Sequence, residues 1–215
     1  MRVLFIGNSA TYMHDMPATF ARLSGAETDQ LVKGGCVLSR YADEANELGI
    51  RAGEMIRGGY DLVFLQDNGN CISSPEMRDK CISACRKLDR LIRESGARTA
   101  IYIRPPYGYS AHGHTHDEQI TAFTELFEGI AAELGCDFAP AAAAYRYMEE
   151  HHPEITMYHT DNAHTSPAGA LLVACLCVLA AGLPLPEEID GGDVPTEEAQ
   201  LIRNAAESVY RESHR

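Results

Sequence analysis

The sequence predicts an α/β domain of three layers, α/β/α, with a parallel sheet covered by helices on both faces. Two observations predict it. Strand-like runs recur at 3–6, around 30–33, at 62–66 and at 99–103, with helical patterns between them, the alternation expected of parallel strands joined by helical crossovers. The first run, Val3-Leu4-Phe5-Ile6, is apolar throughout rather than alternating, as a strand buried on both faces must be.

The elements follow in order. The first strand closes in Gly7-Asn8-Ser9, which sets Ser9 at a carboxyl end, where open α/β sheets keep their sites. A first helix is expected to start at Asp15 as N-cap, to bury Phe20 and Leu23, and to stop at Gly25. Further helices are expected at 41–57, 75–95, 117–134, 140–151, 167–181 and 196–212, with a short fifth strand at 137–139. The stretch 184–195 reads as a loop before a terminal helix, and no repeat or low-complexity block appears. The 215 residues, 45% hydrophobic and 23% charged, therefore read as a single domain, 1–215.

Charge and composition remove several classes of partner. A formal net charge of -13 disfavours nucleic acid and anionic membrane surfaces, whose phosphates need a basic face. The longest apolar stretch, 168–183, would span roughly 24 Å as a helix at about 1.5 Å per residue, short of the about 30 Å of a bilayer core, so a buried helix is expected. The opening residues are too quickly interrupted to read as a signal peptide. Seven cysteines without paired CxxC spacing fit reduced thiols, and hence a cytoplasmic protein, better than a disulfide framework or a zinc cluster.

Two separated segments carry the chemistry. Gly7-Asn8-Ser9 offers a hydroxyl, and Asp161-Asn162-Ala163-His164 offers an imidazole and a carboxylate. A serine hydroxyl is a poor nucleophile unless a base lies within hydrogen-bond reach and a third group fixes the tautomer of that base. Ser166 can cap the helix that follows and Pro167 can occupy its first turn, which would anchor the Asp-x-x-His segment in the loop before it. Taken singly, an Asp and a Ser before a helix are ordinary caps, and a serine after a strand is an ordinary turn residue.

Joined, the segments resemble the SGNH hydrolase superfamily, the GDSL esterases and lipases, over nearly the whole chain. Gly7-Asn8-Ser9 resembles the family's Gly-Asp-Ser block, with Asn8 where aspartate is common; Gly34-Gly35-Cys36-Val37-Leu38 resembles its glycine block. Asp67-Asn68-Gly69-Asn70 approximates its Gly-x-Asn-Asp block but lacks the glycine two positions before Asn68, and Asp161 to His164 matches its Asp-x-x-His block. The resemblance implies a flavodoxin-like sheet, Ser9 as nucleophile, His164 as general base and then acid, and Asp161 as the residue orienting His164. It implies an oxyanion hole of the Ser9 and Gly35 backbone N–H groups and the Asn68 side chain, with Gln66 and Asn70 as competitors for the last place. The implied activity is metal-independent and cofactor-free hydrolysis of a short-chain, most simply acetyl, ester of a small molecule or carbohydrate. The rival α/β-hydrolase elbow, Gly-x-Ser-x-Gly, fails because Thr11 stands where its second glycine belongs.

Two other functions stay open at this stage: a non-catalytic flavodoxin-like binding module and a catalytically silent relative of the hydrolases. His112, His114 and His116 alternate as metal ligands can, but they are expected in a solvated or substrate-facing loop. Arg104 is expected in a structural ion pair, with an acidic substrate group as the alternative. Cys36 is expected to fill apolar space, Cys81 and Cys85 to form a half-buried stripe, and His151 and His152 to lie at a solvated helix end. The acyl group, the alcohol, the oligomeric state and the pathway are not readable from the sequence.

Overall fold

The computed structural model describes residues 1–215. Five strands form one parallel sheet: β1 (Arg2–Gly7), β2 (Glu27–Val32), β3 (Leu62–Leu65), β4 (Arg98–Ile103) and β5 (Asp137–Pro140), in the order β2-β1-β3-β4-β5. The helices in chain order are α1 (Ser9–Tyr12), α2 (Met16–Ser24), α3 (Leu38–Tyr41), α4 (Glu47–Ile56), α5 (Pro75–Glu94), α6 (His116–Leu134), α7 (Ala141–His151), α8 (Pro167–Ala180) and α9 (Thr196–Ser213). The strand order is that of flavodoxin-like folds, in which the chain reverses its direction of travel between β1 and β3 and leaves a crevice at their carboxyl ends.

Strand pleating divides the core in two. Val3, Phe5, Leu62, Phe64, Ala100 and Tyr102 face the layer of α2, α7, α8 and α9. Leu4, Ile6, Val63, Leu65, Ile101 and Ile103 face α3, α4, α5 and α6. Alternate residues of one strand thus enter opposite cores, as the two-residue period of a strand requires. Phe5 stacks on Phe64 with ring centroids 4.9 Å apart and meets Phe20 of α2 edge-on at 5.2 Å.

Helix α8 is buried on every side except at Pro167 and Leu179, in keeping with a segment that shows no polar face. No helix is long and apolar enough to cross a membrane.

The structure departs from the sequence reading in several places. Within the expected helix at 41–57 only α4 is helical: Tyr41 ends α3, residues 42–46 are not helical, and the Asn46 side chain accepts from Leu48 N at 3.0 Å and Gly49 N at 3.1 Å and so starts α4. Strand β2 begins three residues before 30, on the largely exposed sequence Glu27-Thr28-Asp29, since an edge strand needs no apolar mark on its open side. Cys81 and Cys85 are fully buried rather than half-buried.

Candidate active site

The site gathers at the crevice between β1 and β3. After β1 the chain turns at once into the single turn α1, with Asn8 as its N-cap: Asn8 Oδ1 accepts from Ala10 N at 3.1 Å. This turn starts at Ser9, so its backbone N–H is one of the amino-terminal donors that no carbonyl within the turn can satisfy.

Asn8 is 3% exposed and binds in three directions. Its Nδ2 donates to Cys36 O at 3.0 Å and its backbone N–H to Gln66 Oε1 at 2.9 Å. The first segment is thereby fastened to the glycine segment after β2 and to the end of β3. An aspartate carboxylate could not make the bond to Cys36, because it has no hydrogen to give. At the centre of the glycine segment the chain turns between Lys33 and Cys36, whose N–H donates to Lys33 O at 3.0 Å. Gly35 has a φ of 66° there, a conformation that glycine adopts without steric cost.

The 161–164 segment is held in a closed loop. Tyr158 and Thr165 form an antiparallel bridge, His159 N donates to His164 O at 2.9 Å, and Ser166 N to Met157 O at 2.9 Å. Ser166 also caps α8, accepting from Gly169 N at 3.0 Å. Asp161 Oδ1 accepts from Ala163 N at 2.9 Å and His164 N at 3.1 Å, which leaves Oδ2 for the imidazole.

The two segments meet in a continuous chain of hydrogen bonds. Ser9 Oγ lies 2.8 Å from His164 Nε2, and His164 Nδ1 lies 2.7 Å from Asp161 Oδ2. The hydrogen bond from His164, joined by the backbone N–H of Ala163, holds the Asp161 carboxyl well below the usual carboxylate range. An ionised carboxylate only accepts, so Nδ1 donates to it and Nε2 is left to accept the serine hydroxyl. That is the tautomer a general base requires. The Asp161 side chain is 45% exposed and that of His164 29%, so the relay stands at the rim of the crevice rather than beneath it.

The third block separates its three amides. Gln66 is buried and committed: its Oε1 accepts from Asn8 N and from Thr11 Oγ1, both at 2.9 Å, and its Nε2 donates to Asp67 O. Asn70 is exposed. Asn68 is half-buried, and its Oδ1 accepts from Asn70 N at 3.1 Å, which orients the side chain and leaves its amide hydrogens for another acceptor. Asp67 is buried; one carboxylate oxygen accepts from Leu38 N at 2.8 Å and from Asn68 N at 2.7 Å. Burial raises its pKa. Asp67 was read only as part of a motif; its role as a tie between β3 and α3 follows from a long-range pairing that no spacing signals.

The remaining candidates lie apart from this relay or line it. His114 Nε2 lies 3.0 Å from Ile72 O, and His116 Nε2 lies 2.9 Å from Tyr158 Oη and 3.2 Å from Glu149 Oε1. With these separate partners the three alternating histidines do not converge, and no set of three His, Cys, Asp or Glu side chains is arranged to hold a metal ion. Arg104, immediately after β4, takes part in no ion pair of the chain, contrary to the expectation of a structural one. The more voluminous surface cavities, about 420 Å³ beside Tyr41 and Lys87 and about 480 Å³ beside Ile72 and Arg78, touch neither Ser9 nor His164. Volume does not mark this site; chemistry does.

No protein-family model matches the sequence, and no curated protein matches it either. Solved structures do. A protein of Slackia heliotrinireducens assigned as an SGNH hydrolase superposes with a TM-score of 0.75 at 26% identity, over 85% of this chain and 99% of that one. The chain has an SGNH hydrolase-like fold. A DUF4886 family protein of Bacteroides uniformis shares that SGNH-like architecture with a TM-score of 0.67 at 14% identity, over 97% of this chain and 93% of its own. So does Axe2, an acetylxylan esterase of Geobacillus stearothermophilus, with a TM-score of 0.59 at 15% identity, over 85% and 94%. The catalytic mutants described for Axe2 replace a serine, an aspartate, and a histidine three residues beyond that aspartate. The Slackia protein is assigned as a hydrolase and Axe2 is an esterase, and a hydrolase is the class of activity that the SGNH-like fold supports here.

Proposed function

We propose that the protein is a serine esterase acting on a short-chain, most simply acetyl, ester of a small molecule or carbohydrate. The observation that carries this reading is the hydrogen-bonded relay from Ser9 Oγ through the His164 ring to Asp161, at 2.8 and 2.7 Å. Two further facts support it: Ser9 stands where open α/β sheets bind ligands, and Axe2, whose catalytic mutants show the same Asp-x-x-His spacing, is an acetylxylan esterase.

In the mechanism, Ser9 Oγ attacks the ester carbonyl carbon while His164 Nε2 takes its proton. The carbonyl oxygen becomes an oxyanion, received by the Ser9 and Gly35 backbone N–H groups and the Asn68 side-chain amide. Collapse expels the alcohol, which takes the proton from His164 and leaves an acyl-Ser9. Water, deprotonated by His164, then attacks the acyl group; acid leaves, and the proton returns to Ser9. Asp161 stays ionised throughout, holding the imidazole in its tautomer and stabilising it when it is charged. A single preorganised oxyanion donor is worth about 3 kcal/mol, so Asn68 matters even though the attack occurs at Ser9. The seven unpaired thiols support placing this activity in a reducing, cytoplasmic compartment.

The test is covalent. A fluorophosphonate probe followed by peptide mass spectrometry is expected to modify Ser9 in the parent protein and to leave His164→Ala unmodified. Hydrolysis of 4-nitrophenyl acetate without modification of Ser9 would place the activity elsewhere; neither hydrolysis nor modification would make the protein a silent relative.

A further inference from the structure

Arg104 is a buried cation beside the relay that the proposed mechanism does not use. It is 4% exposed, and its Nε has no hydrogen-bond partner in the protein. The guanidinium carbon lies over the Tyr107 ring, 3.8 Å from its centroid, and 5.4 Å from the centroid of Phe123. Glu149 is engaged with His116 at 3.2 Å and Tyr158 at 3.3 Å and forms no ion pair with Arg104.

Its position ties it to the relay. One small recess is bounded by Arg104, Tyr145 and Tyr158 on one side and by Ala10, Ala163 and His164 on the other. From the opposite direction Nη1 lies against Gly69, so closely that a Cβ there would overlap it. Arg104 thus stands between the imidazole and the segment that carries Asn68. A buried cation costs several kcal/mol unless an anion compensates it. Cation–π contact with Tyr107 returns about 2 kcal/mol of that when desolvated, which leaves most of the cost unmet. With a net charge of -13, the protein as a whole repels anions, so any anionic substrate needs a local cation to receive it.

We propose that Arg104 is the receptor for a carboxylate on the substrate, so that the ester cleaved at Ser9 is an acid: either its acyl part or its alcohol part carries a carboxylate a few atoms from the scissile carbonyl. The planar guanidinium, which lines the same recess as the base, matches the fork geometry of a carboxylate. The site rests on the esterase reading for what is cleaved, but not for what is bound.

The experiment separates the two. In the Ser9→Ala variant, calorimetric titration uses monomethyl succinate (carboxylate on the acyl side) and 3-acetoxybutyrate (carboxylate on the alcohol side), each against its primary amide. At least one acid is expected to bind about tenfold more tightly than its amide, the lower bound for a hydrogen bond to a charged group, and which acid it is identifies the side. The preference is expected to vanish in Ser9→Ala/Arg104→Gln and to persist, reduced, in Ser9→Ala/Arg104→Lys. Acids that bind no better than their amides, or a preference that survives Arg104→Gln, would overturn the proposal. If the glutamine variant does not fold, the acid-to-amide comparison in Ser9→Ala decides alone. Because Ser9 is absent from every titration, failure of Ser9 modification by the fluorophosphonate defeats the esterase reading without touching this one.

Discussion

Asn8→Asp is the substitution whose outcome the geometry determines most tightly. Asn8 is buried, its Oδ1 accepts from Ala10 N, and its Nδ2 donates to Cys36 O at 3.0 Å. Aspartate keeps the first bond and turns the second into two oxygens facing each other. An unmade bond at a buried carbonyl costs about 1–3 kcal/mol, and confining a carboxylate there adds to it, so we expect a loss of about 3 kcal/mol at pH 7.5. For a domain of this size that corresponds to roughly 6–12 °C in melting temperature.

The pH dependence is the sharper signature. A proton on the carboxyl restores a donor to Cys36, so the folded-state pKa of the new residue is raised above the unfolded value of about 3.9. Stability contributed by such a group is complete below the unfolded pKa and lost as pH rises through the folded one. The deficit relative to the parent is therefore expected to shrink on acidification. Asn8→Ala, which loses cap and donor without gaining a charge, should show a deficit independent of pH. Urea melts of the three proteins at pH 7.5 and pH 5 measure this. An Asn8→Asp protein within about 0.5 kcal/mol of the parent at pH 7.5, or a deficit unchanged between the two pH values, would refute the Asn8–Cys36 assignment.

Other perturbations have equally definite outcomes. Asp161→Asn is expected to lower kcat/KM by about 10⁴-fold, since an amide does not hold the imidazole in the required tautomer; steady-state kinetics on 4-nitrophenyl acetate test it. Because the Asp161 pKa is depressed, its contribution to stability is present above the unfolded carboxylate pKa of about 3.9 and lost as pH falls through the folded one, so the stability deficit of Asp161→Asn relative to the parent should shrink below about pH 4 in urea melts. Asp67→Asn keeps an oxygen for Leu38 N and Asn68 N while removing a carboxyl whose pKa burial has raised. Thermal melts should show it gaining on the parent as pH rises from about 4, whereas Asp67→Ala loses both bonds and about 2–3 kcal/mol. Gly169→Ala drives a methyl into Tyr145 Oη and Met157 O; we expect a loss of about 2 kcal/mol, partly recovered by Tyr145→Phe.

The sheet was legible where burial was complete. β1, β3 and β4 are apolar because both faces are covered, whereas β2 is an edge strand whose exposed start carries Glu27, Thr28 and Asp29 and no hydrophobic mark. The single turn α1 is too short to show a period, so the helical start at Ser9 leaves no mark in the sequence. In the site, Asp161 and His164 were legible because their anchoring is local: a turn within the segment and a cap on α8. The commitment of Gln66 was not, since its Oε1 accepts from Asn8, 58 residues away. Arg104 was misjudged for a related reason. Sequence shows that a cation follows a strand, but which side chains surround it is decided by three other elements.

The relay joins residues 155 positions apart, and this separation has a consequence for the chain during its synthesis. The strand that carries the serine is translated early, yet it lies between β2 and β3, so it has no sheet to join until both have emerged. The aspartate and histidine follow much later, immediately before the helix that fills one core. A nascent or truncated chain that stops before Asp161 therefore has a hydroxyl without a base. Under the proposed mechanism, chemical competence arrives only with the closing of the fold.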